Sequence, residues 1–178
     1  MKPLQIRLVT AASLVLLVAL SRFLPHPPNA APVMAMALFG GALFDKKWVG
    51  LVVPTMAMLL SDAVIGFHGT MGAVYSSFAL AWLIGALALR QPTFAKVVVG
   101  SLVASVLFFL ITNFAVWYGS SFYPQTGAGL LGCYAAGAAF YNNQSFFVNA
   151  LLGDLFFSGL LFGGYALLQR RFQVLKMA

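Results

Sequence analysis

Apolar residues in this chain come in long runs, and polar residues mark where the runs end. A helix needs about 20 apolar residues to cross ~30 Å of hydrocarbon, so the pattern predicts transmembrane helices. The first covers roughly residues 5–24 and stops at Arg22 and the Pro25–Pro28 stretch. A secretory signal peptide is the rival reading, because Lys2 and Arg7 precede an apolar core, but no small-x-small cleavage site follows that core directly. The second run, roughly 32–44, is short, which suggests a tilted or partly buried helix. Ala31 and Ala35, then Ala37 and Gly41, give it small-xxx-small spacing that permits close helix contact. The third span is roughly 48–66, with Pro54 near its start and Ser61-Asp62 near its end. A tight segment, Gly66 to Gly72, leads to the fourth span at roughly 73–89, closed by Arg90. The fifth is roughly 97–118 and the sixth roughly 145–168, stopped by Arg170-Arg171.

Between the last two spans lies the longest non-spanning stretch, 119–144, rich in Gly, Ser, Tyr and Asn and without Lys or Arg. Its residues 127–140 are small and apolar but too few to span. They suit a re-entrant or interfacial helix capping one face. No internal repeat of the kind that inverted-repeat carriers show is visible.

Charge fixes the orientation of this pattern. Of ten Lys and Arg residues, Lys2, Arg7, Lys46, Lys47, Arg90, Lys96, Arg170, Arg171 and Lys176 share one side, and only Arg22 lies opposite. Basic loops stay cytoplasmic, so six spans put both termini in the cytoplasm and the capped face outside. Composition agrees: 62% of residues are hydrophobic, 7% are charged and the mean hydropathy is +0.95. A soluble domain carries about 25% charged residues, so the chain reads as one integral membrane domain over residues 1–178. The net charge of +7 sits at span ends and forms no patch for nucleic acid. The bilayer is the expected partner.

Charges inside spans cost about 2.5–3.5 kcal/mol each at the bilayer centre, so they point to function or to a partner. Asp62 lies near the outer end of the third span and Asp154 in the outer half of the sixth. Asn149 is five residues before Asp154, Asn113 occupies the outer part of the fifth span, and Arg22 ends the first. Span directions alternate, yet all five reach similar depth on the outer side. Such a cluster under an outward-facing cap suits a polar ligand, with Arg22 meeting an anionic group and the acids accepting hydrogen bonds. The bland alternative is that Asp62 caps its helix or pairs with Arg22, and that Asp154 bonds a neighbouring helix. Aromatic residues also gather outside; most suit an interfacial belt, while Trp117 and Tyr134 are candidates to stack on a planar ligand. His68 joins the candidate set from the external segment that follows the third span.

His26, His68 and the single cysteine, Cys133, are all external. Their spacing matches no metal motif, and His68 and Cys133 are weak candidates for ligands to a cobalt centre. No nucleophile elbow and no phosphate-binding glycine loop is present, so an enzyme is not expected and ATP-driven transport needs another subunit.

Several segments resemble a bacterial family of small membrane transport proteins without assigned function: Arg22-Phe-Leu-Pro-His-Pro-Pro-Asn29, Ala37-Leu-Phe-Gly-Gly-Ala42, Leu60-Ser-Asp62 with Gly66-Phe-His68, Thr112-Asn-Phe114, Tyr123-Pro124, Gly132-Cys-Tyr134 and Leu151-Leu-Gly-Asp154. That family is similar to the substrate-binding S-components of energy-coupling factor (ECF) transporters, six-helix proteins with an outward-opening pocket capped by loops. The resemblance covers nearly the whole chain. It implies uptake of a vitamin or micronutrient with an ECF module of one transmembrane subunit and two ATPases, in the bacterial inner membrane. A solitary cobalamin S-component is a relative, which makes a corrinoid a possible bound substrate; no intrinsic cofactor is implied. The first helix departs from the ECF pattern: a clean Ala-xxx-Ala is missing, Ala11, Ala12 and Ala19 offer a loose substitute, and the clearer small-residue ridge is on the second span. The expectation is thus an all-α membrane protein of six helices that binds a small nutrient through Arg22, Asp62, His68, Asn113, Trp117, Tyr134, Asn149 and Asp154. A self-sufficient carrier, proton-coupled through Asp62 or Asp154, is the alternative.

Overall fold

The computed structural model describes residues 3–175; Lys2 and Lys176, two of the nine basic residues assigned to one side, lie outside them. Of the described residues, 79% are helical and none forms a strand. Its helices are α1 (Pro3–Leu20, extended by a 3₁₀ turn, Ser21–Phe23), α2 (Val33–Leu43), α3 (Lys47–Ile65), α4 (Met71–Ala88), α5 (Phe94–Gly119), α6 (Gly127–Ala138) and α7 (Phe146–Arg171). Five of them, α1 with its 3₁₀ turn, α3, α4, α5 and α7, are long and apolar enough to cross a membrane. They make the chain a multi-pass, membrane-embedded protein. Large apolar side chains such as Leu17, Val64, Leu87 and Phe94 stand exposed around the bundle, as a lipid-facing surface requires.

The second apolar run behaves differently from the rest. α2 has 11 residues, so at 1.5 Å per residue it is about 16 Å long, half the hydrocarbon thickness. Every one of its residues is buried. It forms the axis of the bundle and touches α1, α3, α4, α5 and α7. Small residues make this possible. A Cβ on Gly41 would run into the Trp82 carbonyl of α4, and one on Gly85 of α4 would run into the Leu38 carbonyl. Gly40 and Gly50 of α3 face each other just as closely. The ridge anticipated from Ala37 and Gly41 is therefore a double one, with the deepest approaches made by adjacent glycines on opposite flanks. Larger side chains fill what remains: Phe39 meets Phe162 and Tyr165 edge-on, with ring centroids 5.3 and 5.8 Å apart.

The two ends of α2 are held by polar groups from other elements. At its C-terminus, Lys47 Nζ donates to the Gly41 carbonyl at 2.7 Å, one of the carbonyls a helix end leaves free. Arg7 and Asp45 lie 3.6 Å apart at the same end of the molecule. At its N-terminus, the approach from α1 is irregular backbone, residues 24–32, that runs alongside the first turns of α7. Asn149 donates to the Pro28 carbonyl at 3.0 Å, and the bare Gly153 lets Ala30 lie against α7 one turn further on. Irregular backbone at this depth is tolerated where it is covered by protein or lines a cavity.

α5 and α7 run antiparallel and are joined by two buried polar pairs one helical turn apart. Ser101 Oγ donates to Ser158 Oγ at 2.7 Å and Ser105 Oγ to Asp154 Oδ2 at 2.6 Å. Immediately after Ser158, α7 widens into a π-helical turn, Gly159–Gly163. The expected cap is a helix, α6, packed on α5 and α7. It leads into α7 through a two-residue turn at Asn142 and Asn143, both with positive φ, flanked by reciprocal backbone bonds between Tyr141 and Gln144.

Candidate functional site

Between α6 and the N-terminus of α2 lies a cavity of about 550 Å³, at the opposite end from Arg7, Asp45 and Lys47. This falls in the range of about 300–1,000 Å³ usual for small-molecule sites. Each wall has a separate origin. Arg22 and His26 come from the end of α1 and the segment after it, with Asn29. His68 and Thr70 come from the turn between α3 and α4. Phe108, Thr112 and Asn113 come from α5, and Cys133, Ala136 and Gly137 from α6. The floor is made by Val33 and Met34 of α2 with Asp154 of α7.

Arg22 is the anchor of one wall. Nη2 lies 2.7 Å from Asp62 Oδ1, and Nη1 donates to Ser61 Oγ and, at 3.3 Å, to the Met58 carbonyl. The other Asp62 oxygen accepts from Tyr75 Oη at 2.7 Å. The arginine side chain is 12% exposed and the aspartate 3%, so the pair is largely removed from solvent. Ring orientation on the neighbouring histidines is also set by local contacts. His26 Nδ1 lies 3.0 Å from the Pro27 carbonyl, so this nitrogen carries the proton, and His68 Nδ1 lies 2.9 Å from Thr70 Oγ1.

Asp154 is almost wholly buried at the floor. Its carboxylate accepts from Ser105 Oγ at 2.6 Å and faces the backbone N–H groups of Met34 and Ala35. Those amides are among the first in α2 and have no acceptor within their own helix. Asp154 thus caps a helix to which it is not connected in sequence, and its negative charge lies at the positive end of that helix.

The roof is tied to α5. Cys133 Sγ donates to the Asn113 carbonyl at 3.4 Å and Tyr134 Oη to the Leu110 carbonyl at 3.0 Å. Burial pushes both the Cys133 thiol and the Tyr134 phenol up from their ordinary pKa values. Gly137 lies so close to Asn113 that a Cβ there would press on its side-chain oxygen. Trp117 Nε1 donates to the Pro124 carbonyl at 2.9 Å, while Gln125 returns a bond of 2.7 Å to the Trp117 carbonyl, closing the loop before α6.

Of the eight residues singled out from the sequence, Arg22, His68, Asn113 and Asp154 line the cavity. Asp62 sits behind Arg22 and orients it. Trp117 and Tyr134 tie down the roof, and Asn149 holds residue 28. The polar atoms of Trp117, Tyr134 and Asn149 serve backbone carbonyls and the Asp62 carboxylate serves Arg22 and Tyr75, so these four do not form the wall. His26 and Cys133, considered only for metal binding, are on it, and Asn29, Thr70 and Thr112 join them. Thr112 had a signal in its position beside Asn113; Asn29 and Thr70 lie in loops whose fold the apolar pattern does not specify. Among the described residues, no three His, Cys, Asp or Glu side chains cluster closely enough to hold a metal ion.

The chain matches, over residues 2–175, the model of a family of unknown function (DUF6580), and it belongs to that family. No curated protein and no solved structure matches it.

Proposed function

We propose that this member of DUF6580 is a substrate-binding membrane subunit for uptake of a small organic nutrient, similar in role to an ECF S-component. The observation that carries the reading is the cavity of about 550 Å³, walled by five elements and roofed by α6. Its polar groups are few, fixed and convergent, as in a ligand site. In this reading the polypeptide makes six passes, with α2 and the irregular segment before it together forming the second. The Arg7, Asp45 and Lys47 end is cytoplasmic, as are both termini, and the roofed end faces outward across a bacterial inner membrane. Energy comes from a separate ATPase module, and the chain performs no chemistry on its ligand.

Cavity size bears on what the ligand is. At roughly 20 Å³ per close-packed non-hydrogen atom, 550 Å³ holds on the order of 25–30 atoms. That is the size of a vitamin of one or two rings. A corrinoid with its nucleotide loop is several times larger and would have to sit mostly outside the walls, so the smaller class is the better fit.

The buried Asp154 at the floor favours one second reading, a self-sufficient carrier coupled to protons. Full-length protein tests both. Mass spectrometry of purified protein is expected to find a retained compound of vitamin size, and proteoliposomes are expected to accumulate it only when ATPase subunits are added. Accumulation without any ATPase would favour the carrier. A protein that retains nothing and drives no uptake under either condition would remove both.

A further inference from the structure

We propose that the ligand of this cavity is an organic anion whose charged group is bound by Arg22, a deduction that rests on reading the cavity as a ligand site. Arg22 is the one Lys or Arg on the cavity wall among the described residues. A guanidinium has five N–H donors. Nη1 directs its two to Met58 and Ser61, and Nη2 directs one to Asp62. The Nε–H and one Nη2–H have no hydrogen-bond partner among the described residues, and they belong to a side chain already held on three sides. Such a preset fork suits a carboxylate, sulfonate or phosphate oxygen pair.

The acids do not cancel this. Asp62 lies behind Arg22, is 3% exposed, is absent from the wall, and has one oxygen on Arg22 and the other on Tyr75. The pair therefore presents its positive end to the cavity. Asp154 does reach the floor, but its carboxylate accepts from Ser105 and faces the N-terminal amides of α2, the positive end of that helix. Apart from Asp154, no carboxylate lines the wall among the described residues. If Arg22 served only to pair with Asp62, its position on the wall would have no electrostatic consequence for what enters.

Thiol chemistry reads this potential without knowledge of the natural ligand. Ala136 lies on the roof of the same cavity and is exposed. Full-length Cys133→Ala/Ala136→Cys protein in nanodiscs is treated with sulfonatoethyl or trimethylammonioethyl methanethiosulfonate, reagents with the same reactive head and opposite charge. Each rate is divided by that for a small free thiol. The anionic reagent is expected to be favoured by about fivefold or more at low salt, and the preference is expected to collapse near 1 M salt. Arg22→Gln is expected to abolish it and Arg22→Lys to retain most of it. A ratio of one or below in the Arg22 protein overturns the proposal, and that measurement does not depend on any Arg22 variant folding. If neither reagent reacts, the cavity is closed and both this proposal and the binding-subunit reading fall. If the anion preference holds while no compound is retained or taken up, only the uptake reading falls.

Discussion

The capping of α2 by Asp154 makes a quantitative prediction. Replacing Asp154 with Leu removes the carboxylate that the Met34 and Ala35 amides face at the nearly buried floor of the cavity. A buried donor left without a partner costs about 1–3 kcal/mol. Ser105 is spared most of this, because a helical serine can turn its hydroxyl to the carbonyl four residues back. Two amides therefore dominate, and Asp154→Leu is expected to lose about 2–5 kcal/mol of unfolding free energy. Asn caps helices nearly as well as Asp, so Asp154→Asn is expected to lose only about 1 kcal/mol. Ser105→Ala alone is expected to cost about 1 kcal/mol, and less than that in the Asp154→Leu background, since its partner is already gone. The assay is unfolding by sodium dodecyl sulfate in bicelles, followed by far-ultraviolet circular dichroism, on the full chain. Asp154→Leu within about 0.5 kcal/mol of the unsubstituted protein would refute the capping argument, because two buried amides cannot lose an acceptor at no cost. Asp154→Asn as unstable as Asp154→Leu would refute it too, because the loss would then follow the charge and not the acceptor.

Three further outcomes test other parts of the fold. Gly85→Ala places a methyl against the Leu38 backbone, which cannot yield, so a loss of about 1–3 kcal/mol is expected, whereas Gly132→Ala, with open space around it, is expected to be neutral or to gain up to about 1 kcal/mol by the same unfolding assay. Removing one member of the Arg22–Asp62 pair leaves the other largely buried and uncompensated, so Arg22→Gln/Asp62→Asn is expected to be more stable than Asp62→Asn alone; a double variant that shows the sum of both single losses contradicts this. Trp117→Phe removes the bond to the Pro124 carbonyl, and faster hydrogen exchange confined to residues 120–126 is expected, with retention of the co-purifying compound unchanged because Trp117 is off the cavity wall.

The sequence by itself determined the membrane class, the positions of the long helices, a short extra helix within 127–140 and the end of the molecule where polar residues gather. These follow from quantities that are local: a run of apolar residues long enough to cross hydrocarbon has few other uses, and breaks in the run are marked by charge, Pro or Gly. Arg22, Asn113 and Asp154, which line the cavity, could be set at its depth for the same reason, since depth along a span can be counted, whereas His68 lies in a turn. What each side chain touches was decided only by the tertiary structure. Lipid and protein core are equally apolar, so a helix such as α4 or α5 carries no stripe in its sequence to say which face is buried. α2 could therefore not be distinguished as the buried axis, although its glycines permit that position. Likewise Asp62 and Asp154 look alike as isolated intramembrane acids. The fold puts one 40 residues away in sequence against Arg22 and the other against the start of α2, and so makes the first a brace for the cavity wall and the second a cap at its floor.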